Sequence, residues 1–591
     1  MILDKNIEFY REEAAGKMFK KMLWLVSILF TLSEINAYKY LVVNPLPVKS
    51  HSILGDALVD HLVDAGHEVT YIAVFAPQKI SPRVTHIDIS DNLKFSPEKE
   101  LNLKSIMDGK VMTNSLFTYV PVMLEIGKAT LGNPNVQKLM ADKNQRFDAV
   151  IAEWNYHDVY VGFAALFNCP LIWFSSVEPH WMVLQLIDEI PNPAYSTDML
   201  TTDYTPPLTF NQRVVELYTQ FFTRFIQIFY LSGLEHDVYN EYFAPFIRDR
   251  YNTVPPFEEL RYNASLMLSN SHISMNIPIR LPANVITIGG YHIKPNIKPL
   301  PENLQKVMDK AKDGVIYFSM GTNLRSNHFP DQVKQDLLKM FGKLKQTVIW
   351  KFEEDLPNRP NNVHIVQWAP QQSILAHPNC LLFITHGGLL STTETVHFGV
   401  PIIGIPVFAD QYVNVGRAVK KGFAQRVDLS YSLAVDLEKA IRNVLFDSSY
   451  TTRIKELSAI YHDRTVPPAK ELVHWAEQVV KTKGARHLRS PAFMMPWYQK
   501  MYLDLILVSL VVLLKFLIRF NYSTIATLDF YDLPKMLSYP TNIRFVHTAT
   551  DQASQNQYKQ DSCVVYYRRR LAARRGPSKF RLLVLVLGNL I

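Results

Sequence analysis

The chain has 591 residues, 48% of them hydrophobic and 12% aromatic, which is enough for large buried cores and more than one ordinary domain needs. Its three cysteines, Cys169, Cys380 and Cys563, lie far apart and are odd in number, which argues against a disulfide framework and a cysteine-rich zinc site. The net charge is +8, but eleven of the Lys and Arg residues and only four Asp lie from Arg519 onward, which leaves the body nearly neutral and argues against nucleic-acid binding. The basic tail instead suits anionic lipid headgroups.

The start of the chain has the pattern of a secretory signal peptide. Residues 18–37 combine a basic start, an apolar stretch from Met22 to Leu32 and a final small residue, Ala37, after which we expect cleavage. The acidic residues 1–16 do not fit such a signal, so we expect translation to begin at Met18 and assign 1–37 as a signal peptide with an N-terminal extension. A buried N-terminal helix is the alternative, and the strand predicted directly afterward disfavours it.

The first segment after the signal reads as a strand, a helix and a second strand. Tyr40 to Val43 is an apolar run, Ser50 is placed to cap a helix that Gly66 ends, and Val69 to Phe75 is the next apolar run. Such a βαβ unit predicts a parallel sheet with ligands at the carboxyl ends of its strands. His51 lies at that edge in the first helical turn, where the helix N-terminus disfavours a protonated imidazole and keeps it available as a base. A loop or capping histidine is the alternative interpretation.

The order of strand, loop and helix recurs farther along the chain. Ala149 to Ala152 is a buried strand, Glu153 stands at its carboxyl end, and Asp158 follows shortly afterward. The segment from Trp181 to Phe246 is rich in Phe, Tyr, Leu and Met, which predicts packed helices of the first domain that also line an apolar pocket. The Pro- and Gly-containing stretch from Leu281 to Pro299 is typical of an interdomain linker.

Strands and helices alternate again after the linker. The run GVIYFSMGTN predicts a strand that ends at Ser319, with Gly321 and Thr322 in the turn that follows. A later strand, Leu381 to Thr385, leads into a His386-Gly387-Gly388 turn and a helix that opens at Ser391. Because glycines let backbone N–H groups approach a ligand and a helix N-terminus offers unpaired donors, this turn suits a diphosphate.

The residues around that turn are suited to reading sugar hydroxyls. Glu394 falls one turn into the helix, and Asp410 and Gln411 place a carboxylate beside an amide after the next apolar run. Taken alone, each residue has a plainer explanation: His386 and Trp368 as core residues, Glu394 as a solvated helix residue, and Asp410 with Gln411 as a turn. Their combination within one stretch of sequence favours a binding site.

The spaced W-x-P-Q, H-G-G, S-x-x-E, G-V-P and D-Q elements between Trp368 and Gln411 resemble the donor-binding signature of the UDP-glycosyltransferases. Members of this membrane-bound family transfer a sugar from a UDP-sugar to small lipophilic acceptors, and the T-H-G-G-L-L-S wording is similar to arthropod members. The alternating elements on both sides of the linker resemble the family's GT-B architecture, an α/β fold of two doubly wound Rossmann-like domains that face each other across a cleft. We therefore predict an acceptor-binding domain at 38–285 and a UDP-sugar-binding domain at 286–485.

The resemblance implies a role for each candidate residue. Trp368 would stack on the uracil, and Gln371 would support the nucleoside. Glu394 would bind the ribose hydroxyls. The diphosphate would lie against His386, Gly387, Gly388 and Ser391, with Ser319, Gly321 and Thr322 as a second phosphate-contacting loop, and the sugar would be read by Asp410 and Gln411. His51 would be the catalytic base, with Glu153 as its partner and Asp158 as the rival, because vertebrate relatives carry aspartate where this chain has Glu153.

The expected reaction is a detoxification-type conjugation, in which a hexose is transferred with inversion to a hydroxyl of a small lipophilic acceptor. It would need no cofactor and no metal ion. The arthropod-like wording favours UDP-glucose over UDP-glucuronate as the donor. The alternative is a non-catalytic membrane protein that binds a UDP-sugar, for which Glu153 and the unusual tail are the only support.

The end of the chain carries a hydrophobic segment. Residues 501–520 are largely apolar, with Asp504, Lys515 and Arg519 as the only charges, which predicts one transmembrane helix if Lys515 reaches toward the far headgroups. A hydrophobic core helix is the alternative, but little chain follows to cover it. The signal peptide and the anchor together predict a single-pass protein of the endoplasmic reticulum membrane, with lumenal domains and a cytosolic, disordered basic tail at 521–591.

Overall fold

The computed structural model describes residues 37–97, 102–110, 116–188, 190–200 and 202–527. The chain divides into two compact units, residues 1–500 and 501–591. The first unit contains two parallel β-sheets with helices against both, and each sheet with its helices is called a lobe below. The described part of the second unit is helical.

The sheet of the first lobe has seven strands in the order β3-β2-β1-β4-β5-β6-β7, each parallel to its neighbours. In the middle of this sheet Val42 pairs with Tyr71 on one side and with Ile151 on the other. The strands are β1 Lys39–Asn44, β2 Glu68–Ala73, β3 Val84–Asp88, β4 Ala149–Glu153, β5 Leu171–Ser175, β6 Leu266–Ser269 and β7 Val285–Thr287.

The sheet of the second lobe has six strands in the order β10-β9-β8-β11-β12-β13, again all parallel. Phe383 pairs with Tyr317 on one side and with Ile402 on the other. The strands are β8 Val315–Ser319, β9 Thr347–Lys351, β10 Val363–Val366, β11 Cys380–Thr385, β12 Ile402–Gly404 and β13 Ala424–Arg426.

Helices connect the strands and cover both faces of each sheet. The α-helices are α1 Lys49–Asp64, α2 Leu103–Met107, α3 Leu116–Gly132, α4 Pro134–Ala141, α5 Val161–Phe167, α6 Trp181–Leu184, α7 Phe210–Ile226, α8 Ser232–Tyr242, α9 Ala244–Tyr251, α10 Phe257–Arg261, α11 Glu302–Lys310, α12 Asp331–Phe341, α13 Gln371–Leu375, α14 Leu389–Phe398, α15 Gln411–Lys420, α16 Leu433–Phe446, α17 Ser448–His462, α18 Pro468–Lys481, α19 Trp497–Lys500 and α20 Leu503–Thr527. A π-helix, Gln227–Leu231, joins α7 to α8, and short 3-10 helices span Ser90–Phe95, Ser326–His328, Arg486–Leu488 and Pro491–Met494.

The strands are continuous apolar runs because both faces of each sheet are buried. In β1, Leu41 and Val43 pack into the core layer on one face, and Tyr40 and Val42 pack into the layer on the other. All four side chains are at most 3% exposed. This is the pattern expected of parallel strands with helices on both faces, and it confirms the predicted doubly wound α/β organisation of both halves.

The strand order fixes where a ligand can bind. In the first sheet, β1 to β3 are added outward in one direction and β4 to β7 in the other, so the strand order reverses between β1 and β4. In the second sheet the same reversal falls between β8 and β11. Crevices at the carboxyl ends of such strand pairs are the usual ligand sites of doubly wound sheets. His51 and Glu153 lie at the first of these points, and Ser319 and His386 lie at the second.

Two segments that extend beyond the boundary predicted at residue 285 belong with the first lobe. Strand β7 belongs to the first sheet, which therefore extends to Thr287. Near the end of the first unit, α18 returns to the first lobe, where Leu472 and Ala476 share a core layer with Leu54 and Leu58 of α1.

Helix α7 has an unusual orientation in the aromatic-rich segment from Trp181 to Phe246. Its polar residues Glu216 and Gln220 are buried, whereas Phe221 on the same helix is 70% exposed. The prediction that this segment lines an acceptor pocket is therefore wrong for α7, which packs through polar side chains.

The ends of the chain test the predicted signal and anchor only in part. Within the predicted signal peptide at 1–37, only Ala37 lies among the described residues. Helix α20 covers most of the predicted span at 501–520, but within the described residues no helix combines the length and apolar character needed to cross a membrane, so that prediction is not confirmed. The tail was predicted to be disordered from residue 521, yet α20 continues to Thr527, and 528–591 lie outside the described residues.

Candidate active site

One cavity of about 620 Å³ opens between the carboxyl edges of the two sheets and is lined by residues of both lobes. The predicted site residues in its wall are His51, Ser319, Gly321, Thr322, Trp368, Gln371, His386, Gly388, Ser391, Glu394, Asp410 and Gln411. Glu153 lies directly behind His51, and Asp158 belongs to a separate cluster of side chains. Gly387 is set behind the wall, where its left-handed backbone packs against Val415 of α15.

His51 is positioned by the start of α1. The helix begins at Lys49 and not with the predicted Ser50 cap, because the extended Val48 presents its carbonyl to the backbone N–H groups of His51 and Ser52, at 3.1 Å each. Asn44 ends β1 and donates from Nδ2 to the His51 carbonyl at 3.1 Å. These contacts fix the His51 backbone at the carboxyl end of β1, with 24% of its side chain exposed.

The imidazole of His51 is oriented by Glu153. Its Nδ1 lies 2.5 Å from Glu153 Oε1, and the Glu153 side chain is only 1% exposed. Glu153 ends β4, the strand beside β1, so the two side chains emerge next to each other from the same edge of the sheet. Because the carboxylate accepts the Nδ1 proton, Nε2 carries the lone pair that can act as a base.

The pKa of His51 is raised above its ordinary value of 6.5. Burial would lower this pKa, but the charge of Glu153, its hydrogen bond and the charge of Asp410 together outweigh burial. The sequence predicted that the helix N-terminus would keep His51 neutral, and the two carboxylates reverse that direction. Asp410 belongs to the second lobe. Because its charge acts on the pKa of His51, the carboxyl edges of the two sheets lie close to each other at this point.

Asp158, the rival partner for His51, is engaged elsewhere. Its Oδ2 lies 2.8 Å from Arg261 Nε, and its Oδ1 accepts a hydrogen bond from Trp154 Nε1 at 2.8 Å. Arg261 also pairs with Glu235, so two carboxylates share one guanidinium inside the first lobe. The geometry therefore favours Glu153 as the partner of His51.

His386 is enclosed by two glycines. It follows β11, and any side chain at Gly321 would collide with its ring. A Cβ at Gly388 would lie 2.5 Å from His386 Nε2. Gly321 also has a left-handed backbone, with φ of +86°, which a larger residue would adopt only with strain. These glycines therefore make room for the imidazole as well as for a ligand.

The pKa of His386 is lowered to about 4 by burial and by the nearby charge of Lys351. Lys351 ends β9, lines the cavity, and pairs with Glu353 at 2.8 Å. Sequence reasoning missed Lys351, although a lysine that closes the apolar strand TVIWK is a usable signal for a cation at the ligand edge. A neutral His386 beside this cation provides a hydrogen-bonding surface for a phosphate.

Helix α14 points its first turn at the cavity. It begins at Leu389, two residues before the predicted start at Ser391, with the extended Gly388 as its N-cap. The N–H groups of the first turn of a helix have no partner within the helix and carry partial positive charge. Ser391 lies inside the helix, and its Oγ accepts a hydrogen bond from Gln371 Nε2 at 3.2 Å.

Glu394 is held by two amides. Gln371 Nε2 donates to its Oε2 at 2.6 Å, and Gln372 Nε2 donates to its Oε1 at 2.9 Å. Burial would raise the pKa of Glu394, but neighbouring His292 and these amides outweigh burial and lower it. The carboxylate is thus charged and oriented, as an acceptor for ribose hydroxyls should be. Sequence reasoning did not nominate Gln372 or His292, which lie outside the recognised motif positions.

The remaining residues predicted for the nucleotide site lie nearby. Trp368 is 61% exposed although it lines the cavity, so a face of its indole is available for stacking. Ser319 Oγ accepts a hydrogen bond from Gly321 N at 3.2 Å, which shapes the loop after β8. Thr322 of the same loop also lines the cavity.

Asp410 and Gln411 form the corner nearest to His51. Burial raises the pKa of Asp410, against the opposing effects of its hydrogen bond from Asn414 and of the His51 charge. Gln411 Oε1 accepts hydrogen bonds from Val407 N at 2.9 Å and Phe408 N at 3.2 Å. Its carbonyl oxygen therefore holds the loop, and its amide NH₂ is the group left to face a sugar.

The wall that the first lobe contributes to the cavity is largely apolar, and it is the predicted acceptor side. Phe95, Tyr119, Met123 and Trp154 contribute to this wall. From the predicted segment between Trp181 and Phe246, Met199 is the wall residue among those that the structure describes. The apolar pocket thus comes chiefly from α3 and from the loops after the strands.

The chain belongs to the UDP-glucoronosyl and UDP-glucosyl transferase family, whose family model matches residues 43–527. It is similar to UDP-glucosyltransferase 2 of Dactylopius coccus, with 32% identity over 518 residues that cover 86% of this chain and 96% of the relative. It is also similar to UDP-glucuronosyltransferase 2B7 of Homo sapiens, with 28% identity over 82% of this chain and 92% of the relative. The solved spinosyn forosaminyltransferase SpnP is similar with a TM-score of 0.48 and 17% identity, over 76% of this chain and all of that one. The resemblance predicted from the sequence is confirmed.

Proposed function

We propose that the protein transfers glucose from UDP-glucose to a hydroxyl group of a small lipophilic acceptor, with inversion at the anomeric carbon. The observation that carries this proposal is the position of His51. Its imidazole, 2.5 Å from Glu153, lines the same cavity as the nucleotide-side residues of the second lobe. An imidazole so oriented can take a proton from an acceptor bound in the first lobe while the acceptor oxygen attacks a sugar bound in the second.

In the proposed step a bond forms between the acceptor oxygen and C1 of the sugar as the bond from C1 to the UDP oxygen breaks. The acceptor proton passes to Nε2 of His51, and the electron pair of the broken bond leaves with UDP. Glu153 stabilises the imidazolium that results, because its carboxylate accepts the Nδ1 proton. Attack from the side opposite the leaving group inverts C1.

The negative charge that grows on UDP would meet three groups of the second lobe. These are the neutral His386, the cation of Lys351 and the first-turn N–H groups of α14. Groups already in place before the reaction stabilise developing charge without reorganisation. The proposal gives no role to a metal ion.

The charges around His51 support a neutral sugar. Glu153 and Asp410 place two carboxylates at this edge of the cavity, and both act on the pKa of His51. Lys351, a cation of the wall, is paired with Glu353 at 2.8 Å. A uronate carboxylate at this corner would be repelled, whereas a glucose hydroxyl can donate to Asp410, which lines the cavity.

Donor competition tests the proposal. Radiolabelled UDP-glucose, UDP-glucuronate and UDP-galactose are each incubated with a panel of phenols and lipophilic alcohols, and products are separated and counted. We expect product from UDP-glucose at least about tenfold faster than from UDP-glucuronate, and proton NMR should show a β-linked sugar. Binding of UDP without any product would favour the non-catalytic protein, and faster transfer from UDP-glucuronate would contradict the assigned sugar. Placement in the endoplasmic reticulum membrane stays a prediction.

A further inference from the structure

The segment between the two lobes carries a histidine that the proposed function leaves without a role. Residues 289–292, Gly-Gly-Tyr-His, are called the interlobe strap below. His292 at its end lines the cavity, and its side chain is completely buried. Neither ring nitrogen makes a hydrogen bond to the described part of the chain. Its Nε2 faces Glu394 Oε1 at 3.6 Å, which is too far for a hydrogen bond. Buried polar groups are usually hydrogen-bonded, and a ligand in the cavity would supply the missing hydrogen bonds.

The second lobe holds the start of the strap. The carbonyl of Gly289 accepts hydrogen bonds from Arg464 Nη2 at 2.9 Å and from Tyr461 OH at 3.3 Å. Gly290 has φ of +93°, and any side chain there would collide with the Tyr461 hydroxyl. The strap therefore has one path past α17, and only glycine fits it.

The first lobe holds the middle of the strap. Tyr291 is 2% exposed, and its hydroxyl donates to the carbonyl of Leu54 at 3.0 Å. The Tyr291 carbonyl lies 2.8 Å from Nε2 of His61. Both partners belong to α1, the helix that carries His51 in its first turn. With both lobes fixing the preceding residues, His292 has little freedom to move.

The side chain of His292 reaches the nucleoside end of the cavity. Its Nε2 lies 3.6 Å from Glu394 Oε1, which is beyond an ordinary hydrogen bond but close enough to share a ligand hydroxyl. Both Glu394 oxygens already accept hydrogen bonds from Gln371 and Gln372. A ribose hydroxyl that donates to this carboxylate has its own oxygen free to accept a proton from a ring N–H.

We propose that His292 binds the ribose of the nucleotide directly, as a partner of Glu394, and that the interlobe strap brings it to the site. This inference rests on the proposed function for the identity of the ligand, a uridine diphosphate sugar. It adds a residue from the segment between the two lobes to the nucleotide site. The strap also makes the nucleotide site depend on α1, because Tyr291 and His292 are adjacent in the chain.

Binding of nucleotides to the full-length protein tests the proposal by isothermal titration calorimetry. His292→Phe keeps a planar aromatic ring and removes both nitrogens, and we expect it to weaken UDP binding about tenfold. It should also reduce the preference for UDP over 2′-deoxy-UDP or over 3′-deoxy-UDP, because the contact to one ribose hydroxyl is already lost. His292→Gln retains a donor near the position of Nε2 and should bind UDP within about threefold of the wild type.

His157→Phe is the matched control. His157 is also a buried histidine whose ring nitrogens lack hydrogen-bond partners within the described residues, and it packs against Gly127 inside the first lobe. It should change the melting temperature without changing the preference between UDP and its deoxy forms. The proposal is wrong if His292→Phe binds UDP as tightly as the wild type, or if it weakens all three nucleotides equally. A wild-type protein that binds UDP and transfers no sugar would contradict the proposed function, while this binding comparison would still decide the role of His292.

Discussion

The two lobes present a histidine at the same edge of similar sheets, and their surroundings shift the two pKa values in opposite directions. His51 follows β1, and the carboxylates of Glu153 and Asp410 outweigh burial and raise its pKa. His386 follows β11, and burial together with Lys351 lowers its pKa to about 4. A base needs affinity for a proton, whereas a group facing a diphosphate serves best as a neutral, fixed donor. The comparison teaches that neighbouring charges, and not the fold, decide what each histidine can do.

The largest expected effect comes from removing the base of the first lobe. His51→Ala should lower kcat by about 10³-fold, because proton removal by a positioned base typically contributes 10²–10⁴-fold. UDP affinity should stay within about twofold, since His51 is not among the residues proposed to bind the nucleotide. Initial rates and calorimetric titration with UDP measure the two quantities. Full turnover by the variant would refute the assignment of the base.

Glu153→Gln tests what raises the pKa of His51. It should lower kcat by about 10²-fold, because the imidazolium loses its partner. His51 acts in its neutral form, so wild-type kcat/KM should rise with pH up to the raised pKa. Without the charge of Glu153, burial lowers that pKa and the rising limb should move to lower pH.

Asp158→Asn provides the control for that pH profile. It breaks the ion pair with Arg261 and should lower thermal stability. Because Asp158 is not bonded to His51, the rising limb of the profile should stay in place. A shift with Asp158→Asn and none with Glu153→Gln would reverse the assigned partnership.

His386→Gln tests the other side of the comparison through stability. The pKa of His386 is about 4 in the folded protein and about 6.5 when unfolded, so its contribution is present above pH 6.5 and is lost as the pH falls toward 4. Between pH 7 and pH 5 this one residue should account for about 2 kcal/mol of lost stability. Urea unfolding at both pH values should show a smaller loss for His386→Gln than for the wild type. His474→Gln, at an exposed position of α18, should leave the loss unchanged.

Glu394→Gln should have the smallest of these effects. Loss of the charged acceptor for ribose should raise KM for the UDP-sugar about tenfold with little change in kcat, since the contact exists before and during the reaction. Glu456→Gln, a similar change on the exposed surface of α17, is the control. A fall in kcat at constant KM would instead place Glu394 near the reacting atoms.

In the second lobe, the sequence predicted the motif residues that line the cavity but not the residues that contact them from elsewhere. The stretch from Trp368 to Gln411 folds as consecutive elements around β11, so its motif residues reach the cavity together. Lys351, Gln372 and His292 were missed because they reach Glu394 or His386 from outside the recognised motif positions.

In the first lobe, the sequence predicted where residues lie better than it predicted their surroundings. The position of His51 followed from the βαβ pattern, but the direction of its pKa shift depends on Glu153 and Asp410, which are distant in sequence. The aromatic content of the segment with α7 suggested a pocket lining, but periodicity alone did not reveal that the polar side of α7 faces inward. Contacts between distant segments decide both points.

A double-mutant cycle of His51→Ala and Glu153→Gln tests the central claim most directly, namely that Glu153 acts in catalysis through His51. The measured quantity is kcat for glucose transfer in the wild type, both single variants and the double variant, with UDP binding as a check that each is folded. We predict that the double variant is no slower than His51→Ala alone, because Glu153 has nothing left to orient once the imidazole is gone. A double variant slower by the full product of the two single effects would contradict the account.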